Sequence, residues 1–196
     1  MFRESADKAF MLYIALLHYP VYNKDGKIVT TAVVNMDIHD LARLSRTYGV
    51  QNLFVVNPLI AQRKLAYEII NHWREGYGAV ANPSRRKAFD LVVLKANLEE
   101  VKADIAEQRG CPPQTIVTGA NINDNSITCA ELGKKIINDS LPYLLIFGTG
   151  SGIAQELVDE ADYRLEPIKG LKDYNHLSVR SAAAIIIDRI MREWKI

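Results

Sequence analysis

Three glycines stand at alternate positions in residues 148–152 (GTGSG), directly after the apolar run 144–147 (LLIF). A glycine has no side chain, so the main chain can approach a ligand closely there, and the free N–H groups of a following helix can bind a polar group. This spacing permits main-chain recognition of a nucleotide-like ligand. A tight turn from a strand into a helix is the simpler interpretation, and the segment alone leaves both open.

The glycine segment does not match the common nucleotide-binding loops. A G-x-G-x-x-G loop needs a small residue where this chain has Ile153, and such a loop follows the first strand of the fold rather than a late one. The segment lacks the lysine of a P-loop, and the chain contains neither G-x-S-x-G nor H-E-x-x-H. A conventional dinucleotide enzyme is therefore disfavoured, and NTPase, esterase and zinc-protease activities have no support.

Short apolar runs alternate with helical patterns along the chain, which predicts an α/β fold with a mostly parallel sheet and helices on both faces. We treat residues 1–196 as a single domain. Ligands of such sheets bind beyond the carboxyl ends of the strands. Strands are predicted at 11–17, 28–34, 53–56, 91–94, 115–118 and 144–147. Five helices are predicted. The first runs from the N-cap Asp37 to Gly49, the second carries Leu65, Ile69 and Trp73 on one face, and the third follows the N-cap Asn97. The last two cover about 128–137 and 182–194.

Composition excludes several classes of protein. The chain is 48% hydrophobic and 24% charged, and 24 Lys and Arg against 23 Asp and Glu give a net charge of +1, so any affinity for nucleic acid must come from a local patch. Cys111 and Cys129 have no partners at metal-ligand spacing, which indicates free thiols of a reducing compartment and no metal site. The apolar run 10–17 is too short to span a membrane. We expect an untargeted cytoplasmic protein.

Several motifs resemble those of one superfamily. Residues 144–153 (LLIFGTGSGI), 162–170 (DYRLEPIKG) and 173–190 (DYNHLSVRSAAAIIIDRI) resemble the terminal motifs of the SPOUT superfamily of RNA methyltransferases, and NHLSVRSAAAI is the most specific stretch. Residues 19–50 and 72–89 are similar to one bacterial SPOUT family of about this length. Some members of that family occur fused to a tRNA (guanine-N1) methyltransferase.

The resemblance implies an α/β fold with a C-terminal trefoil knot that binds S-adenosylmethionine (SAM). It also implies a homodimer in which both subunits contribute residues to each active site. The donor-binding region would cover about 115–196, and main chain would contribute more than side chains. The residues implied to bind the donor are Thr118, Gly119, Ala120, Phe147, Gly148, Thr149, Gly150, Ile168, Gly170, Tyr174, Asn175, His176, Leu177 and Ser178. Simple N-capping by Ser178 is an alternative.

Candidate catalytic residues lie in the front half. Asn35 and Arg43, the latter six residues before Gly49, resemble the first SPOUT motif, in which the arginine helps to activate a ribose 2′-hydroxyl. His39 could act as a general base or simply be a surface group. Asn35 stands further from Arg43 than the motif expects, and residues 148–150 lack the glutamate of many ribose methylators. The target atom therefore stays open between a ribose 2′-oxygen and a base nitrogen.

Basic residues could form a track for an RNA backbone, or be ordinary solvated surface. The candidates are Arg46, Arg85, Arg86, Lys87 and Arg180, and Arg180 could alternatively form an ion pair. The predicted activity is SAM-dependent methylation of RNA, with tRNA as the expected substrate. The alternative is a SPOUT-like RNA-binding or assembly module without methyl transfer.

Overall fold

A parallel sheet of seven strands runs through the molecule, with the order β5-β4-β1-β8-β6-β9-β7. The computed structural model describes residues 11–122, 125–172 and 174–193. The strands are β1 (Leu12–Leu17), β2 (Val21–Tyr22), β3 (Ile28–Val29), β4 (Leu53–Val56), β5 (Val92–Lys95), β6 (Gln114–Val117), β7 (Ser126–Ile127), β8 (Tyr143–Gly148) and β9 (Tyr163–Leu165). The helices are α1 (Asn35–Thr47), α2 (Ile60–Arg74), α3 (Tyr77–Ala81), α4 (Pro83–Phe89), α5 (Leu98–Arg109), α6 (Cys129–Asn138), α7 (Gln155–Glu160) and α8 (Val179–Met191).

Helices cover both faces of the sheet, as the sequence predicts. All six residues of the central strand β1 are buried, because successive side chains point to opposite faces and each face is covered. Leu12, Ile14 and Leu16 join the core beneath α1, α2, α4, α6 and α8. Tyr13 and Leu17 join a second core with α5 and α7. The α/β fold with a mostly parallel sheet is therefore confirmed.

The predicted strand 28–34 is wrong beyond its first two residues. Only β3 forms there, and it pairs antiparallel with β2 in a small hairpin outside the main sheet. The chain turns back because the Asn23 side-chain oxygen accepts hydrogen bonds from the main-chain N–H groups of Asp25 and Lys27, both at 2.9 Å. Ile28 is 44% exposed, so no core holds this run in the sheet.

Helix α1 begins two residues before the predicted N-cap Asp37. Its N-cap is Val34, whose apolar side chain cannot accept a hydrogen bond, and Asp37 lies in the first turn instead. Helix α8 likewise begins earlier than expected, at Val179, because the Ser178 hydroxyl accepts the N–H of Ser181 at 3.3 Å. The end of the predicted helix, residues 194–196, lies outside the described residues.

Six short elements were not predicted: α3, α4, α7, β2, β7 and β9. None is longer than seven residues, which is too short for a clear hydrophobic period. Across the described ranges no helix is long and apolar enough to cross a membrane. Among the same residues no group of three or more His, Cys, Asp or Glu side chains is placed to hold a metal ion.

Candidate active site

Three loops lie together at one edge of the sheet. Loop A (residues 118–122) follows β6, loop B (149–154) follows β8, and loop C (166–172 and 174–178) follows β9. The three strands are neighbours in the order β8-β6-β9 and run parallel, so their carboxyl ends meet at the same edge. The structure therefore brings the predicted donor-binding segments into one place.

Loop B is closed on one side by the β2–β3 hairpin. The N–H of Ser151 donates to the carbonyl oxygen of Tyr22, and the N–H of Tyr22 donates to that of Gly152, both at 2.8 Å. Gly150 has a φ of +63°, and a Cβ added there would lie 2.6 Å from the Tyr22 oxygen. A glycine is needed at this position by both conformation and space. The contact also means that a bulky side chain at Gly150 would collide with the hairpin.

Loop A offers main chain more than side chains. The Thr118 hydroxyl is buried and donates to the carbonyl oxygen of Ile146 at 3.0 Å, so it is committed within the sheet. Among the residues that the structure describes, a Cβ on Gly119 would touch only Ile122, at 3.4 Å. Ala120 is exposed at the tip of the segment. A ligand beside this loop would meet the backbone and the methyl group of Ala120.

Loop C carries apolar side chains that face solvent. Leu171, Tyr174 and Leu177 are 104%, 75% and 47% exposed, and the rings of Tyr174 and His176 pack edge to face with their centroids 5.3 Å apart. A Cβ on Gly170 would lie 2.9 Å from the carbonyl oxygen of Tyr174, so the loop folds tightly there. Exposed apolar groups beside a tight main-chain turn suit a ligand with a flat heterocycle.

The remaining donor candidates have different surroundings. Phe147 is 1% exposed and its side chain belongs to the core, so only its main chain reaches the edge of the sheet. Ile168 packs against the same core. Asn175 is half-buried. Ser178 caps α8, so the simpler interpretation of this serine is correct for its side chain.

A groove between α1 and α8 joins the end of loop C to the candidate arginine. The Arg43 side chain is 61% exposed, and its Nη1 lies 4.0 Å from Asp40 Oδ1. Arg43 thus shares a surface with Ser178, which ends loop C. The groove is lined by Asp40, Arg43, Leu44, Thr47, Ser178, Arg180, Ser181 and Ala184.

Arg180 is engaged by two carboxylates across this groove. Its Nε lies 3.0 Å from Asp37 Oδ1, and its Nη1 donates to Asp40 Oδ2 at 3.2 Å. Burial raises the pKa of Asp37, while the Arg180 charge opposes that rise. Sequence reasoning missed the pairing role of Asp37, because its position favoured a cap.

His39 lies one turn before Arg43 on α1, with its ring in an aromatic cluster between α1, α2 and α4. Its ring packs edge to face on Trp73 and Phe89, with centroid distances of 5.3 and 4.8 Å. Arg85 Nη1 lies 3.4 Å from His39 Nδ1, and its guanidinium covers the Trp73 ring at 4.8 Å. Burial, and then the Arg85 charge, lower the pKa of His39. The structure thus directs His39 towards α4, and Asn35 lies exposed at the start of α1.

Four of the five candidate RNA-contacting cations lie on the adjacent helices α1 and α4, and Arg180 lies on α8. Arg46 is exposed in the last turn of α1, and Arg86 and Lys87 are exposed on α4. Arg85 is half-buried through its contact with Trp73. Helices α1 and α4 pack against each other, and the exposed cations Arg46, Arg86 and Lys87 on them are together called the α1–α4 patch.

Comparisons with known proteins give one family. The family model described as "SAM-dependent RNA methyltransferase" matches residues 11–192. An uncharacterised protein of Aquifex aeolicus is 44% identical over 179 residues, which cover 91% of this chain and 87% of that protein. A tRNA (guanine-N(1)-)-methyltransferase of Oleidesulfovibrio alaskensis is 41% identical over 92% of this chain, but the match spans only 42% of that longer relative.

Solved structures agree on the fold. A probable methyltransferase of Bordetella pertussis superposes with a TM-score of 0.64 at 12% identity, over 96% of this chain and 98% of that chain. The TrmH/SpoU tRNA modifying enzyme of Aquifex aeolicus superposes with a TM-score of 0.53 at 18% identity, over 97% and 77% of the two chains. Both likenesses are evidence for the architecture and not for a substrate.

Proposed function

Because the chain belongs to the SPOUT-type family of SAM-dependent RNA methyltransferases, we propose that it methylates a ribose 2′-hydroxyl of tRNA as a homodimer. The observation that carries this proposal is the α1–α8 groove, which places Arg43 on one surface with Ser178, the last residue of loop C. The candidate catalytic arginine and the end of the proposed donor region are thereby adjacent.

Loops A, B and C would hold the methyl donor. The exposed Ala120 and the apolar side chains of Tyr174 and Leu177 fit the adenine, and the tight turn at Gly170 offers main chain at close range. When bound, SAM would supply a methyl group on a sulfonium: the acceptor oxygen would take the methyl carbon, S-adenosylhomocysteine would leave, and the hydroxyl proton would pass to water. The loops orient the methyl group relative to the acceptor, which is the main contribution that fixed geometry makes to such a reaction.

Arg43 would act on the acceptor. A guanidinium stays protonated at every physiological pH, so it cannot remove the proton of a hydroxyl, but its charge stabilises the oxyanion that develops as the proton leaves. Asp40 is the carboxylate beside it, at 4.0 Å. His39 stands one turn before Arg43 on α1, and its ring packs towards α4.

The proposal of tRNA as substrate is supported by the name of the Oleidesulfovibrio alaskensis relative, which is longer than this chain. That relative acts on a guanine nitrogen according to its name, whereas the arginine of the first motif favours the ribose. A base nitrogen is therefore the second candidate, and the product distinguishes the two.

A homodimer and a knotted C-terminal region complete the proposal. Apolar Ile185 is only half-buried on the last helix, with exposed Ser181 and Arg189 one turn to either side, so a second copy could cover this outward face. Strand β9 lies between the earlier strands β6 and β7 in the sheet, which supports a chain that passes through an earlier loop.

The experiment is a transfer assay with radiolabelled SAM and separate pools of tRNA and ribosomal RNA, followed by digestion and mass spectrometry of the nucleosides. A 2′-O-methylnucleoside from tRNA is expected. A methylated base would contradict the ribose assignment, and incorporation only into ribosomal RNA would contradict tRNA. Donor and RNA binding without transfer to either pool would favour the binding-module alternative. The variant A120R should abolish donor binding without disturbing the core, because Ala120 is exposed.

A further inference from the structure

A buried histidine outside the predicted site is connected to loop B by hydrogen bonds. His18 follows β1 and is 0% exposed. Its Nδ1 lies 2.9 Å from the hydroxyl of Thr31, which lies 2.5 Å from the hydroxyl of Thr149. The Thr149 hydroxyl also lies 3.1 Å from the carbonyl oxygen of Leu17. The four groups form a continuous chain from the hairpin segment to the glycine loop.

The direction of these hydrogen bonds follows from counting protons. A carbonyl only accepts, so the Thr149 hydroxyl donates to Leu17, the Thr31 hydroxyl donates to Thr149, and His18 donates from Nδ1–H to Thr31. The opposite direction loses the bond to Leu17 and leaves a buried N–H on Nε2, an atom without a hydrogen-bond partner among the described residues. A buried unpaired donor is costly, so the first direction is favoured.

The chain of hydrogen bonds acts where loop B leaves the sheet. The main-chain N–H of Thr149 also donates to Leu17, at 3.1 Å, so the N–H and the hydroxyl of this residue are both fixed on β1. The hairpin holds the next residues through Tyr22. Thr31 is further anchored by its own main chain, since its N–H donates to the His18 oxygen at 3.0 Å and its oxygen accepts from Asn57 Nδ2 at 3.1 Å.

We propose that His18 is a positioning residue of the methyltransferase: through Thr31 it orients Thr149 and thereby presets the main chain of loop B for the methyl donor. The inference rests on the proposed donor site. It assigns a role to the segment between β1 and α1, which sequence reasoning did not connect with the donor loops. Since the contact to the donor is indirect, its loss should weaken donor binding while the rate at saturating donor changes little.

Two matched pairs of variants test the proposal. Thr31→Val removes the hydroxyl and keeps the shape, whereas Thr31→Ser keeps the hydroxyl. His18→Asn places an amide near the position of Nδ1, and His18→Gln places it near that of Nε2. We expect T31V and H18Q to weaken the binding of S-adenosylhomocysteine about five- to tenfold, the range for one buried hydrogen bond, and T31S and H18N to bind close to wild type.

The readouts are calorimetric affinity for S-adenosylhomocysteine, KM for SAM against kcat, and thermal unfolding of each variant. Unchanged affinity in T31V would overturn the proposal, as would H18Q binding better than H18N. Lower thermal stability with unchanged affinity would likewise overturn it. The A120R variant separates a failure of the positioning role from a failure of the proposed donor site. If A120R loses affinity for S-adenosylhomocysteine while T31V does not, only the positioning role is wrong. If both bind like wild type, the donor site itself is misplaced.

Discussion

Arg180 and Asp37 form an ion pair between the first turns of α8 and α1, with Nε and Oδ1 3.0 Å apart. The two residues have complementary reasons to pair. An aspartate in a first turn is stabilised by the helix dipole, while an arginine there is disfavoured. The Asp37 side chain is only 11% exposed, so its charge needs a partner. The pair also fixes one wall of the groove in which Arg43 lies.

Removing Arg180 should therefore destabilise the fold. We expect R180A to lower the free energy of unfolding by about 1–3 kcal/mol, because Asp37 would be left buried without its cation. The variant D37N should be less damaging, since a neutral amide needs no counter-charge. Urea denaturation of both single variants and the double variant measures the coupling. Additive effects would show that the contact contributes no net stability.

The pH dependence of stability should report on His18. Burial lowers the pKa of His18 to about 4 from 6.5, so between these values the unfolded chain binds a proton that the folded chain does not. Stability is then lost as the pH falls from about 6.5 to about 4, by roughly 3 kcal/mol. Denaturation at several pH values measures this loss. The variant H18N lacks the histidine, so its pH dependence shows how much of the loss comes from carboxylates that titrate in the same range. An equal pH slope in H18N would assign the loss to other groups.

The contact between Gly150 and the hairpin gives a third prediction. Gly26 and Gly150 both have positive φ, +73° and +63°, but a Cβ on Gly26 meets none of the described residues within 4 Å, while one on Gly150 meets Tyr22. G26A should cost about 1–2 kcal/mol of stability from conformation alone. G150A should cost clearly more and also weaken donor binding. Equal effects on stability, measured by denaturation, would mean that the hairpin moves aside freely.

Sequence reasoning predicted the layered fold and the convergence of loops A and B from local patterns, whereas only the family resemblance joined loop C to them, because the short strand β9 was not predicted. Buried strands are continuous apolar runs, and parallel strands bring the loops that follow them to one edge. The contact of Tyr22 with Gly150 could not be predicted, since main-chain groups far apart in sequence leave no signal in residue types. The same holds for Asp37 and Arg180, and for the burial of His18. The aromatic packing of His39 likewise depended on α4, a helix too short to predict.

The α1–α4 patch should contribute to RNA binding through charge. Replacing Arg86 and Lys87 together by alanine should weaken RNA binding and reduce the dependence of affinity on salt. With fewer phosphate contacts, the protein releases fewer counterions from the RNA when it binds. Affinity for S-adenosylhomocysteine should not change, since both side chains are exposed on α4. Binding titrations at several salt concentrations measure this. The control is the variant K134A, which removes an exposed lysine of α6. An equal loss of RNA affinity in K134A would mean that RNA binding depends on net charge and not on this patch.

The outward face of α8 should mediate the proposed homodimer. Ile185 lies one turn from exposed Ser181 and from exposed Arg189, so I185E places a charge on this face. A buried charge in a dimer interface is strongly unfavourable, so the variant should sediment as a monomer and lose methyl transfer together. The matched control is I60E, because Ile60 is 65% exposed on α2, away from α8. Analytical ultracentrifugation and the transfer assay decide the result: an I185E monomer with full activity would show that one copy suffices for catalysis.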